Sequence, residues 1–419
     1  ETYRLALGWR SGTQTYPQHI LTEQEWLEAT QYLLPAQQRE VAWANMLWVL
    51  DQCNATFKTA KLLRPEKPKS LRQLCLEGAE RLSCNLDDPV YAARLERELT
   101  LIDEKQFEDY FFILADLIAY AKSQMIVGPA RGSSCGSLVC YLLGITTIDP
   151  IPYGLIFERF IDLNRTDLPD IDVDFSDAKR DLVFKYAEAK YGADRVARLG
   201  TVGLFKPRSA LKQIGASLKI PHWMIEKTLE GVTERSSGDS RAMLALEDTL
   251  TGTEMGRKLA VEYPAARVAA RMEGHPNNAS QHAAGIVITE EPLTEYVAID
   301  ARSNSAMCDK KDAEELNLLK IDALGLTQLS IFERTLELLG KPAISDARFL
   351  ESLPLDDELA FAVLNNGHYS GVFQFMGGAL RSLTNQIIVT NIEDIISITA
   401  LARPGPMATG GANSWVKRR

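Results

Sequence analysis

Pro169-Asp170-Ile171-Asp172-Val173-Asp174-Phe175 is the stretch on which the reading of this chain turns. In an extended strand residues two apart share a face, so Asp170, Asp172 and Asp174 project together while Ile171, Val173 and Phe175 turn toward a core. Carboxylates at a repeat of ~6–7 Å repel one another. Two readings stand. A divalent cation neutralises the acids, in which case hard oxygen ligands select Mg²⁺ or Mn²⁺ over zinc, or the acids form the polar face of an edge strand and guard it against pairing.

Upstream lies Gly128-Pro129-Ala130-Arg131-Gly132-Ser133-Ser134-Cys135-Gly136-Ser137, between an apolar strand expected at 124–127 and a helical run at 138–143. Glycines let backbone amides approach an anion, and a helix beginning near Ser133 offers free N–H groups and a favourable dipole, which makes a phosphate cradle. The stretch lacks the lysine of the GxxxxGK[ST] nucleotide loop and is not a GxGxxG turn. A capped turn with close helix packing is the alternative. Downstream, Asp322 ends the apolar stretch Leu318-Leu319-Lys320-Ile321. Alone it reads as a turn residue or helix cap. With the Gly-Ser turn and the paired acids before it, it completes a two-metal phosphoryl-transfer centre, whose ions sit ~3.5–4 Å apart. Arg131, Arg159, Arg165 and Lys320 flank these acids. They bind triphosphate oxygens or simply balance the aspartate charge.

The stretch from 203 to 220 carries Lys206, Arg208, Lys212 and Lys219 and no acid. It reads either as a stripe for nucleic-acid backbone phosphates or as a solvated helix face. The overall balance runs the other way, with a net charge of −10 over 419 residues.

Composition, 46% hydrophobic and 24% charged, excludes fibre, collagen and disorder, and the length suggests about two to four domains. The apolar stretch 110–121 carries Asp116 and is short of the ~20 residues a membrane span needs, so no membrane partner is expected. Cys53, Cys75, Cys84, Cys135, Cys140 and Cys308 include no CxxC pair, and the five histidines are dispersed. Neither a zinc cage nor a disulfide framework is indicated, and a cytoplasmic location fits. The chain begins at Glu1 and stops after Arg403-Pro404-Gly405-Pro406. It reads as a piece of something longer.

Patterning predicts a mixed α+β chain. Thr22 opens a capping box, helical spacing runs through 37–54 and 70–124, strands are expected at 124–127, 171–175, 284–288 and 317–321, and helices return after about 330. Strand signals vanish from 203 to 278, as if a helical subdomain were inserted between strands of one sheet.

The order of these motifs resembles the C-family bacterial replicative DNA polymerases, the alpha subunit of DNA polymerase III, from about residue 35 to the end. The matching segments are 128–133, Ile148-Asp149-Pro150, Phe157-Glu158-Arg159-Phe160, 169–175, 320–325, Gly371-Val372-Phe373-Gln374 and 403–406. The resemblance implies a polymerase-beta-like nucleotidyltransferase palm at 36–202 and 279–329, an inserted helical thumb at 203–278 and the truncated start of fingers at 330–419. Residues 1–35 would then be the tail of a preceding domain. It implies that Asp170, Asp172 and Asp322 are catalytic metal ligands for Mg²⁺, with Mn²⁺ as an alternative. Gly132 and Ser133 would hold nucleotide phosphates, aided by Arg159 and Lys320, with Arg131 in the same loop. Asp174 is left without a role, and His282 reads as a packed, hydrogen-bonded histidine.

Implied partners are primer-template DNA, deoxynucleoside triphosphates and, through segments outside this chain, a sliding clamp and other replisome subunits at the nucleoid. The implied activity is template-directed DNA synthesis. A template-independent nucleotidyltransferase and a catalytically silent DNA-binding or scaffold remnant are the alternatives. Two departures bear on nucleotide affinity: Ala130 stands where the family generally has glycine, and Ala306-Met307-Cys308-Asp309 replaces a more polar segment.

Overall fold

A computed structural model describes residues 21–54, 56–162, 169–233, 244–341 and 352–419. Most of residues 1–35, and Arg165, lie outside them. The chain divides into two compact units. The first comprises Glu1–Ala60, Arg198–His282 and Glu291–Leu318, and the second Lys61–Ala197, Ala283–Glu290 and Leu319–Arg419. It is a mixed α+β protein with strands β1 (Asp172–Ser176), β2 (Val196–Leu204), β3 (Pro276–Ile288), β4 (Ile299–Asp300), β5 (Ser305–Ala306) and β6 (Leu319–Leu326) among many helices.

In the second unit the strands lie in the order β1-β6-β3. β1 and β6 run parallel, with Asp172 opposite Asp322, while the end of β3 runs antiparallel to β6, with Gly285 opposite Asp322. Parallel neighbours require a long connection between them, and 142 residues of chain separate Ser176, the end of β1, from Leu319, the start of β6. Ile171, Val173 and Phe175 are buried beneath β1, at 1%, 0% and 2% exposure, as strand alternation requires. They join one large core with the helices Leu71–Leu82, Pro89–Glu104 and Glu108–Gln124. The helix Gly378–Thr384 and its neighbours to 418 build a smaller core around Phe361, Leu383 and Ile398.

In the first unit β2 and β5 pair in parallel, and β4 and β5 antiparallel. Five helices, Pro207–Ser217, His222–Glu230, Ala245–Gly252, Glu254–Glu262 and Arg267–Met272, enclose a separate core of residues such as Leu211, Ile214, Leu229 and Leu259. Thr22 caps Glu23–Thr30 in the expected capping box. Among the described residues no helix is long and apolar enough to cross a membrane.

Two expectations about strands need correction. Residues 124–127 do not form a strand: Gln124 ends the helix Glu108–Gln124, and only Val127 makes an isolated bridge, to Phe175. The chain turns extended at Met125, directly after the helix, but among 124–127 Val127 alone bridges to β1, so the segment borders the sheet without forming a strand. Conversely β2 was not expected, because Gly200 and Gly203 weaken its strand pattern. Gly200 is there for close approach: a Cβ at that position would lie 2.4 Å from the Ala306 carbonyl oxygen of β5.

Candidate active site

Asp322 reaches the site from β6 and Asp172 from the directly opposite position of β1, while Asp170 precedes β1. One carboxylate oxygen from each lies within 4.8 Å of the other two. Lys320, two residues before Asp322 and on the same face, donates to Asp322 Oδ2 at 2.6 Å and to Asp170 Oδ1 at 3.4 Å. One ammonium against three carboxylates leaves the cluster with excess negative charge. Burial, followed by the Asp170 and Asp322 carboxylates, pushes the Asp172 carboxyl above its ordinary value, against the opposing pull of Arg131 and Lys320. Desolvation and like charge both disfavour its anion.

Asp322 Oδ1 is buried and has no hydrogen-bond partner among the described residues. A buried carboxylate oxygen left without a donor is costly unless another cation meets it. An orphaned acceptor beside two further carboxylates fits a hard divalent cation, and no sulfur or imidazole in the cluster would favour a softer one. The three acids can therefore hold a metal ion.

The glycine loop lies along the edge of β1. Gly128 N–H donates to the Asp174 carbonyl at 2.9 Å and Arg131 N–H to the Asp172 carbonyl at 3.2 Å. Gly132 adopts φ +74°, a left-handed conformation suited to glycine, and a Cβ there would meet nothing within 4 Å. The Ser133 hydroxyl is half-buried and has no hydrogen-bond partner among the described residues. Arg159 is exposed in the turn Phe157–Arg159, which packs on the turn Gly132–Gly136.

The expected helix start near Ser133 is not observed. Residues Gly132–Gly136 form a 3₁₀ turn, and the α-helix begins at Leu138. Its free amides are already taken by the fully buried Glu98, which accepts from Ser137 Oγ, Leu138 N and Val139 N at 2.8–3.0 Å. Arg94 pairs with Glu98 at 2.6 Å and also donates to the Gly136 and Leu155 carbonyls. This internal ion pair fastens the two turns together. Sequence reasoning missed it, although Glu98 stands at i+4 from Arg94 beside the buried Leu95, Leu99 and Ile102.

Of the four basic residues in the 203–220 stretch, Lys206 precedes the helix Pro207–Ser217, Arg208 and Lys212 are exposed on it one turn apart, and Lys219 follows it. The stretch has no acid of its own, but the next helix brings one: Glu226 lies 2.8 Å from Lys212 Nζ. His282 is half-buried in β3 and makes interactions of its own.

Residues 69–325 match the bacterial DNA polymerase III alpha NTPase domain, and residues 328–419 match the bacterial DNA polymerase III alpha subunit finger domain. Proteins named DNA polymerase III subunit alpha are similar to this chain. That of Staphylococcus epidermidis is 37% identical over 340 residues, 80% of this chain and 31% of the relative. That of Halalkalibacterium halodurans is 37% identical over 345 residues, covering 80% and 30%, and that of Staphylococcus aureus strain MRSA252 35% over 373 residues, covering 86% and 34%. The chain spans about a third of the length of these relatives. With the triad and the glycine loop lying inside the matched region, the chain belongs to the bacterial DNA polymerase III alpha family.

Proposed function

We propose that this chain is the core of a template-directed DNA polymerase, joining deoxynucleoside triphosphates to a primer 3′ hydroxyl. The primer oxygen bonds to the α-phosphorus, and the bond from that phosphorus to the departing pyrophosphate breaks. The observation that carries the reading is the convergence of Asp170, Asp172 and Asp322, with an orphaned Asp322 oxygen among them. Mg²⁺ or Mn²⁺ bound by these three would supply the positive charge that stabilises the attacking and leaving oxygens.

The chain's own residues bind and orient. The Gly132 backbone, the Ser133 hydroxyl and the side chains of Arg131, Arg159 and Lys320 hold the triphosphate, aligning the reacting atoms as phosphoryl transfer requires. Lys206, Arg208, Lys212 and Lys219 hold duplex backbone phosphates without reading sequence. In this reading 36–202 and 279–329 form a polymerase-beta-like palm, 203–278 the thumb and 330–419 the start of the fingers. A sliding clamp and further replisome subunits at the nucleoid engage other parts of the longer enzyme.

Primer extension by the complete enzyme containing this segment tests the reading, with and without template and with Asp322→Asn. Template-dependent, metal-dependent extension that the substitution abolishes supports it. Extension that ignores the template, or that persists within tenfold in the variant, overturns it.

A further inference from the structure

The strand alternation that sends Asp170 and Asp172 into the triad sends Asp174 to the same face, yet Asp174 does not join them. Its register partner on β6 is Leu324, not an acid. Its carboxylate instead meets Arg131, whose Nη2 lies 3.2 Å from Asp174 Oδ1. The Asp174 side chain is 9% exposed. A carboxylate this deep is tolerated when it is paired with a cation and is costly when it is not.

The backbone is arranged for this one contact. The 127–131 segment runs antiparallel along β1, with Val127 opposite Phe175 and Arg131 opposite Asp172. Gly128 sits directly on Asp174: a Cβ there would come within 3.2 Å of the Asp174 Cβ. Arg131 is thereby delivered to the acid two residues beyond the one its backbone pairs with. Only part of the guanidinium is used. Arg131 Nε is buried with no hydrogen-bond partner among the described residues, and the side chain as a whole remains 38% exposed. An untethered guanidinium beside three carboxylates would form bidentate pairs with them and obstruct the cation ligands.

We infer that Asp174 is a positioning residue that holds Arg131 off the metal-binding acids and presents its unused donors to the phosphates of the incoming nucleotide. The inference rests on the nucleotidyltransferase reading and extends it to an acid that serves no metal. Asp174 acts through Arg131 alone, so its removal matters only while Arg131 is present.

The test measures Mn²⁺ alone by electron paramagnetic resonance, then Mn²⁺ with a deoxynucleoside triphosphate and Mn²⁺ with inorganic triphosphate, by calorimetry. The proteins are the 419-residue chain, Asp174→Asn, Arg131→Ala and the double variant. Expected are Mn²⁺ binding that weakens in Asp174→Asn, where the released Arg131 competes for the acids, and recovers in the double variant, about tenfold weaker binding of both phosphate probes in Asp174→Asn, and a double variant that binds them no more weakly than Arg131→Ala. Circular dichroism melts confirm that each variant is folded at the assay temperature, and Asp174→Glu, which keeps the charge, recovers part of the lost affinity. Loss of Mn²⁺ binding in Asp174→Asn that persists in the double variant would make Asp174 a ligand and overturn the inference. Additive losses in the double variant, or equal phosphate affinity in Asp174→Asn and wild type, would also overturn it. Wild-type chain that binds Mn²⁺ but neither phosphate probe removes the nucleotide-site reading itself, and the inference with it.

Discussion

Asp172 and Asp322 are register partners on the parallel strands β1 and β6, although 149 residues lie between them in the chain. Parallel pairing sets adjacent strands about 4.8 Å apart, so two carboxylates on one face are forced close by the backbone, whatever their side chains prefer. Asp170 adds a third and Lys320 offsets only part of the charge. The site is strained electrostatically, and its fold must be maintained by the core beneath β1.

That strain gives Asp172→Asn a defined pH signature. The Asp172 carboxyl lies above its ordinary value because of burial and its two acidic neighbours. The folded state therefore holds the proton more tightly than the unfolded chain. The stability it contributes is present at low pH and falls as pH rises from the unfolded value through the raised one, leaving the charged form a full cost at about pH 7. In EDTA, Asp172→Asn should melt at or above wild type near pH 7, with the difference closing toward about pH 4. Melting curves across this range check it, and a variant less stable than wild type near neutrality contradicts it.

Removing the Glu98 carboxylate, by contrast, should destabilise the fold. That carboxylate satisfies Ser137, Leu138 and Val139 and neutralises Arg94. Glu98→Ala removes the acceptor of the Leu138 and Val139 amides, leaves Arg94 with only the Gly136 and Leu155 carbonyls, and should destabilise the second unit by about 3–5 kcal/mol. Replacing the pair together, as Arg94→Met with Glu98→Leu, should cost much less. Urea unfolding of the three proteins measures the difference, and equal midpoints for the single and double changes would count against the pair's role.

How much of this was legible in the residues differs from feature to feature. The alternation of Asp170, Asp172 and Asp174 against Ile171, Val173 and Phe175 is local, and the buried face came out as the pattern requires. Which acid meets which partner is not local. Asp322 reaches Asp172 through a pairing between distant segments, and Asp174 turns to Arg131 because the 127–131 segment borders β1, which no periodicity encodes. The same limit hid Glu98 at the helix start and Glu226 beside Lys212. β2 escaped because its two glycines look like turns, and the apolar run ending at Val127 passed for a strand although a helix owns its first residue.

Glu226 makes a prediction for the basic stretch. Because it already neutralises Lys212, changing Lys212 alone should weaken primed-DNA binding little. Glu226→Gln frees that ammonium and should strengthen binding, steepening log affinity against log salt by up to about 0.9. Affinity titrations at several salt concentrations decide it. An unchanged slope would demote the stretch to a solvated face.

The central claim is that Asp170, Asp172 and Asp322 together hold divalent cation, and Mn²⁺ binding to the 419-residue chain addresses it most directly. Electron paramagnetic resonance titration of wild type should show bound Mn²⁺ that Mg²⁺ displaces. Asp172→Asn and Asp322→Asn should each weaken that binding at least ~30-fold, since a hard cation keeps few other charged ligands once one carboxylate is gone. Mn²⁺ affinities in both variants equal to wild type would contradict the account.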